Sequence, residues 1–143
     1  MSTTLYWLQC GGCGGDTMSF LNAESPDIVE LLNLLDIEVL WHPSLSNNSL
    51  LEQREISERL LSGEQKLDIL CIEGSIIRGP NGTGMYDLRD GKPKKDLVAS
   101  LAKQAQFVVG RRHVCKLWRD KCGRRGRGYW CPVLQVRKGW IYR

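Results

Sequence analysis

The chain has 143 residues, 42% hydrophobic and 25% charged, with a formal net charge of +4 at pH 7. That length fits a single domain able to bury a real core. No apolar run approaches the roughly 20 residues of a spanning helix, and the N-terminus lacks the charged flank and apolar segment of a secretory signal. No membrane span is expected, and a cytoplasmic location is, where the six cysteines serve as ligands or buried thiols rather than disulfides.

The net charge conceals a division. Residues 1–110 hold 9 Lys/Arg and 15 Asp/Glu, a net of −6, whereas residues 111–143 hold 11 Lys/Arg and one acid, a net of +10. Three of the five Trp and three of the six Cys also lie in that last stretch, where no hydrophobic periodicity is visible. The chain therefore divides into a patterned segment, 1–110, and a basic irregular tail, 111–143.

In the patterned segment, strands alternate with helices. Leu5–Leu8 is a short apolar run consistent with a buried strand, and it feeds the glycine-rich turn CGGCGGD before a helix over Thr17–Ala23. Ser25-Pro26 and Asp27 suit the start of a second helical run, DIVELLNLL. IEVLW, Ile37–Trp41, is the second strand, ended by His42-Pro43. An amphipathic helix follows from about Asn48 to Leu61, with Leu50, Leu51, Ile56, Leu60 and Leu61 as its apolar positions. LDILCIE, Leu67–Glu73, is a near-continuous apolar run of the kind buried in a parallel sheet. A Gly- and Pro-rich loop from Gly74 to about Lys94, a helix over Lys95–Gln104 and the run Phe107–Val109 complete the pattern. This alternation predicts a parallel sheet covered on both faces, with ligands beyond the carboxyl ends of the strands.

The loops at that edge hold the candidates. Four glycines let the first loop fold around something bulky, and Cys10, Cys13 and Asp16 are spaced by three, so Cys10 with Cys13 or Cys13 with Asp16 can form a ligand pair. Thiolates favour soft metals, iron-sulfur clusters among them; a carboxylate is a less common cluster ligand. The competing reading is a turn that cradles a phosphate or merely connects. It is no P-loop, because the Gly-Lys-Ser/Thr ending is absent and Asp16 repels phosphate. His42 reads first as a structural turn histidine and Cys71 as a core thiol. Glu73, at a strand end beside the cysteine loop, is either a solvated cap or a group that carries protons or meets a partner. RGPNGTGMY, 78–86, is a surface loop or a partner-docking lid. In the tail, interleaved cations and aromatics allow nucleic-acid contact, while Cys115, Cys122 and Cys131 with His113 make a weak zinc signal.

The runs YWLQCGGCGGDTMSFLNAESPD, IEVLWHPSLS, SGEQKLDILCIEGSIIRGPNGTG and AQFVV, in this order and spacing, resemble the N-terminal flavodoxin-like part of nickel-iron hydrogenase small subunits, a group related to the 20 kDa subunit of NADH-ubiquinone oxidoreductase. The resemblance covers about residues 4–110. It implies an α/β fold, a flavodoxin-like parallel sheet with helices on both faces, incomplete here and followed by the irregular tail. It also implies an oxidoreductase subunit without catalytic residues of its own. A proximal 4Fe-4S cluster would carry electrons between a nickel-iron large subunit and a redox partner. The family motif places a cluster ligand six residues beyond the first-strand Trp, at Cys13, and its second three further on, where Asp16 stands; Cys10 is then a reserve thiol. Glu73 matches a family carboxylate near the cluster and the large-subunit interface.

After Val109 the family motifs that supply the third and fourth ligands are missing. Codons for GRRHVCKLWRDKCGRRGRG can nevertheless be chosen so that a one-base shift gives AVGTCASYGGINAAAGAG, the form the family has there. Residues from about 111 onward are therefore expected to be a frameshift product and the chain a truncated, non-functional fragment, inactive alone. Its tail is expected to be disordered and to leave the fourth strand's outer edge uncovered. On this reading no nucleic acid is a partner. The alternative is a cluster-free flavodoxin-like module whose basic tail binds nucleic acid.

Overall fold

The computed structural model describes residues 2–110, 133–136 and 139–140. Strand β1 (Thr3–Gln9) leads into helices α1 (Gly15–Leu21) and α2 (Ile28–Leu34), then β2 (Ile37–Trp41), α3 (Leu50–Ser62) and β3 (Ile69–Glu73). A two-stranded hairpin of β4 (Leu88–Arg89) and β5 (Lys92–Pro93) precedes α4 (Lys94–Gln104) and β6 (Phe107–Gly110). Beyond these lie β7 (Val133–Val136) and β8 (Gly139–Trp140).

The main sheet has the order β2-β1-β3-β6-β7-β8. Its first four strands are parallel, with Leu5 opposite Ile69 and Gln9 opposite Glu73 in the central pair, so β1 and β3 end level. Alternation along the strands separates two faces. Tyr6, Leu8, Leu70 and Ile72 point to one, where they pack with Ile56 and Leu60 of α3 and Val98 and Leu101 of α4. Trp7 points to the other, against Phe20 of α1 at a ring distance of 5.3 Å. Helices therefore cover both faces, as the alternation of elements predicts.

Local signals set the helix starts. Asp27 and Ser49 each form a reciprocal capping box, with Glu30 and Glu52. The buried stripe of α3 differs from the apolar positions read from sequence. Gln53, Ile56, Ser57 and Leu60 face inward, while Leu50 and Leu51 are exposed. Polar Gln53 and Ser57 take the inner positions because the Tyr6 hydroxyl lies there; Gln53 Nε2 donates to it at 3.4 Å, and it lies 2.8 Å from Ser57 Oγ.

The outer edge of β6, expected to be bare, is paired antiparallel with β7, and β7 with β8. These six tail residues are regular where irregular chain was expected. Unpaired N–H and C=O groups on a strand edge accept any extended segment, whatever its side-chain pattern. The rest of the tail, on which the expected disorder and Cys115, Cys122, Cys131 and His113 fall, lies outside the described residues.

Candidate functional site

The glycine-rich loop after β1 is joined to the loop after β3 through the backbone. The Cys10 N–H donates to the Glu73 carbonyl at 2.8 Å, and Gly11 and Ser75 exchange two bonds of 2.9 and 2.6 Å. Gly74 makes this approach possible. Its φ is +83°, and a Cβ there would lie 2.7 Å from the Gly11 carbonyl oxygen.

Glu73 is 2% exposed and its carboxylate is fully engaged. Oε1 accepts from the Thr17 N–H at 2.8 Å; Oε2 accepts from the Thr17 hydroxyl and from the Trp7 indole N–H at 3.0 Å. The backbone N–H of Asp16 also bonds to it. The carboxylate thus receives the first amides of α1 and fixes where the cysteine loop ends. Burial pushes its pKa up, but the bonds from Thr17, Trp7 and Asp16 outweigh burial and hold it below the ordinary glutamate range. Glu73 is neither a solvated cap nor a loose acid; it is an ionised anchor.

The structure separates the three loop candidates. Cys13 is exposed in the loop before α1, and Asp16, half-buried, lies in the first turn of α1. Cys10 belongs to the hydrophobic core cluster, and burial pushes its thiol up to about 11, with Lys94 lowering and Asp87 raising it by smaller amounts. Cys71 is a buried thiol pushed up by burial to about 12, as a core cysteine should be. His42 is 1% exposed and closes an aromatic group, with its ring 4.8 Å from Trp7 and 6.3 Å from Phe20. Its Nδ1 accepts from the Ser44 N–H at 3.1 Å, which leaves the proton on Nε2 in the neutral ring. Burial lowers its pKa, against a smaller opposing pull from Glu73.

Among the described residues, no three His, Cys, Asp or Glu side chains stand where they could hold a metal ion. An iron-sulfur cluster commonly takes four thiolates. Cys13 and Asp16 offer two donors, and Cys10 is turned into the core, so the described residues do not fit a complete cluster site. Sequence reasoning missed Trp7 and Thr17 as partners of Glu73. The only local hint is the place of Thr17 in the first turn of a helix, since both contacts join residues at least 56 positions apart.

A family model described as NADH ubiquinone oxidoreductase, 20 Kd subunit, matches residues 13–111, from the exposed cysteine to just past β6. The chain belongs to that family. The F420 non-reducing hydrogenase I small subunit of Methanosarcina mazei is 30% identical over an alignment of 117 residues that covers 75% of this chain and 30% of that protein. This family member therefore spans about a third of the length of that curated relative. Its fold is similar to that of an actinobacterial-type NiFe-hydrogenase from Ralstonia eutropha H16, with a TM-score of 0.64 and 24% identity over 76% of this chain and 35% of the other. It is also similar to the Ni-Fe-Se hydrogenase of Desulfomicrobium baculatum in a reduced, active form. There the TM-score is 0.58 and identity 25%, over 78% and 42% of the two chains. The likeness to hydrogenase small subunits read from the residues is thus met by sequence and fold alike, and these relatives are oxidoreductase subunits. Among the described residues, no helix is long and apolar enough to cross a membrane.

Proposed function

We propose that this chain represents part of the electron-transfer small subunit of a cytoplasmic nickel-iron hydrogenase. In the intact subunit Cys13 and Asp16 would be two of the four donors to a proximal 4Fe-4S cluster, and a nickel-iron large subunit would be the partner. The observation that carries the reading is the anchoring of the loop end by Glu73. Asp16 and Thr17 are fixed through their amides, and Cys13 is left accessible at the carboxyl edge of the sheet. When bound, such a cluster supplies one-electron transfer. The residues of this chain would hold one side of it, with the glycines allowing close approach and Glu73 keeping a fixed negative charge behind α1.

The remaining donors belong to the reading frame that residues 111–143 replace, so this chain is non-functional as it stands. The charge break supports this, since 11 of the 20 Lys/Arg fall in 33 residues together with a single acid. The nucleotide sequence around codon 110 tests it. An uninterrupted frame encoding the present tail in an independent isolate would remove the frameshift.

Anaerobic reconstitution with iron and sulfide, followed by metal analysis and electron paramagnetic resonance, tests the site. Substoichiometric iron that falls further in Cys13→Ala supports Cys13 as a donor. Iron content indifferent to Cys13 sinks it, and salt-dependent DNA binding without iron would favour a cluster-free module with a nucleic-acid-binding tail.

A further inference from the structure

The segment between β3 and α4 folds on itself and back over the core. The Gly84 N–H donates to the Arg78 carbonyl, and the Lys94 N–H donates to the Asp87 carbonyl at 2.8 Å. The side chains of Lys94 and Asp87 form a 2.7 Å ion pair with little exposure, 18% and 15%. Ile76 packs against the core cluster and Ile77 fills the space above Gly11. Cys10 belongs to the cluster that Ile76 packs against and is followed directly by Gly11, over which Ile77 lies, so it sits under this cover.

One polar chain reaches from the segment into the core. Arg89 Nη2 donates to Gln53 Oε1; Gln53 Nε2 donates to the Tyr6 hydroxyl at 3.4 Å; Tyr6 lies 2.8 Å from Ser57 Oγ, which donates back to the Gln53 carbonyl at 2.9 Å. Tyr6 is fully buried and Gln53 nearly so, so the inner end is fixed while Arg89 belongs to a two-residue strand of the hairpin. Buried polar groups without partners are costly, and Gln53 and Tyr6 satisfy each other only in part without Arg89. The outer surface of the segment carries exposed Met85, Tyr86 and Leu88, none of which ties it down.

We propose that residues 74–93 form a lid over Cys10, latched by Arg89 on the Gln53–Tyr6 pair, and that releasing Arg89 opens Cys10 to solution. The two other described cysteines make the idea measurable. Cys13 is exposed and lies outside the lid, while Cys71 is buried in β3 and absent from the cluster that the lid covers.

The test is alkylation of the full chain by iodoacetamide at one fixed pH, read by peptide mass mapping as separate rates for Cys10, Cys13 and Cys71. In alkylation the thiolate displaces iodide, so each rate follows exposure and thiolate fraction. In the wild type, Cys13 reacts first and the other two slowly. In Arg89→Met, Cys10 should react about tenfold faster with Cys71 unchanged, as local opening without global unfolding requires. Arg89→Lys, which keeps a donor, should bring the Cys10 rate back towards wild type. A Cys10 rate unchanged in Arg89→Met overturns the lid, and so does a rise in Cys71 that matches the rise in Cys10. Neither outcome depends on whether a cluster binds at Cys13.

Discussion

The Trp7 indole N–H reaches across from β1 to the Glu73 carboxylate on β3 at 3.0 Å, joining residues 66 positions apart. The same carboxylate holds the first amides of α1, so one side chain ties two strands to the helix that follows the cysteine loop. Glu73→Ala should cost about 2–4 kcal/mol, because it leaves buried donors on Trp7 and Thr17 without an acceptor. Urea unfolding of the variant gives the value, and a loss below about 1 kcal/mol would mean that water replaces the carboxylate.

Glu73 also predicts acid sensitivity. Its folded pKa is depressed, so the unfolded state takes up its proton first as pH falls. The stability it contributes is present above the ordinary glutamate value of 4.5 and is lost as pH drops through the lower folded value. Glu73→Gln should flatten that part of the curve. Parallel stability curves for the two proteins below pH 5 would contradict it.

His42 acts in a higher window with the same sign. Burial depresses its folded pKa below 6.5, so its protonation favours the unfolded chain, and the stability it contributes is present above pH 6.5 and falls as pH is lowered from there. His42→Phe keeps the ring against Trp7 and Phe20 and removes the titration. Midpoints of urea unfolding measured from pH 7.5 to 5.5 should fall less steeply for the variant.

Two glycines with nearly equal φ separate strain from collision. At Gly63 (φ +82°) an added Cβ meets nothing within 4 Å, so Gly63→Ala carries only the left-handed cost of about 1–2 kcal/mol. At Gly74 (φ +83°) it would also strike the Gly11 carbonyl. Gly74→Ala should therefore exceed Gly63→Ala by at least about 1 kcal/mol and speed hydrogen exchange at Cys10, Gly11 and Ser75. Equal losses would show that the two loops separate freely.

Much of the scaffold was legible in the sequence. Strand and helix order, the helix start at Asp27, that of α3 to within a residue or two and the glycine-rich loop between β1 and α1 rest on neighbouring residues, and local chemistry decides them. A capping box spans four residues, and a run such as LDILCIE declares a buried strand by composition alone. Leu50 and Leu51 were misread because the helical pattern gives periodicity but not which polar groups the opposite strand requires; the Tyr6 hydroxyl called Gln53 and Ser57 inward instead.

What the sequence by itself determined is the family's parallel α/β frame and the edge at which Cys10, Cys13, Asp16 and Glu73 gather. The tertiary structure alone decided what each of them does there. Cys10 and Cys13 are three residues apart in a glycine-rich stretch, and the fold carries the first into the core cluster beside Tyr6 and Leu8 while leaving the second exposed. Glu73 looks the same in sequence whether it is a surface cap or an anchor. Its ionised, fully bonded state arises because parallel pairing brings the ends of β1 and β3 level, putting Trp7 and the first amides of α1 within reach of one carboxylate.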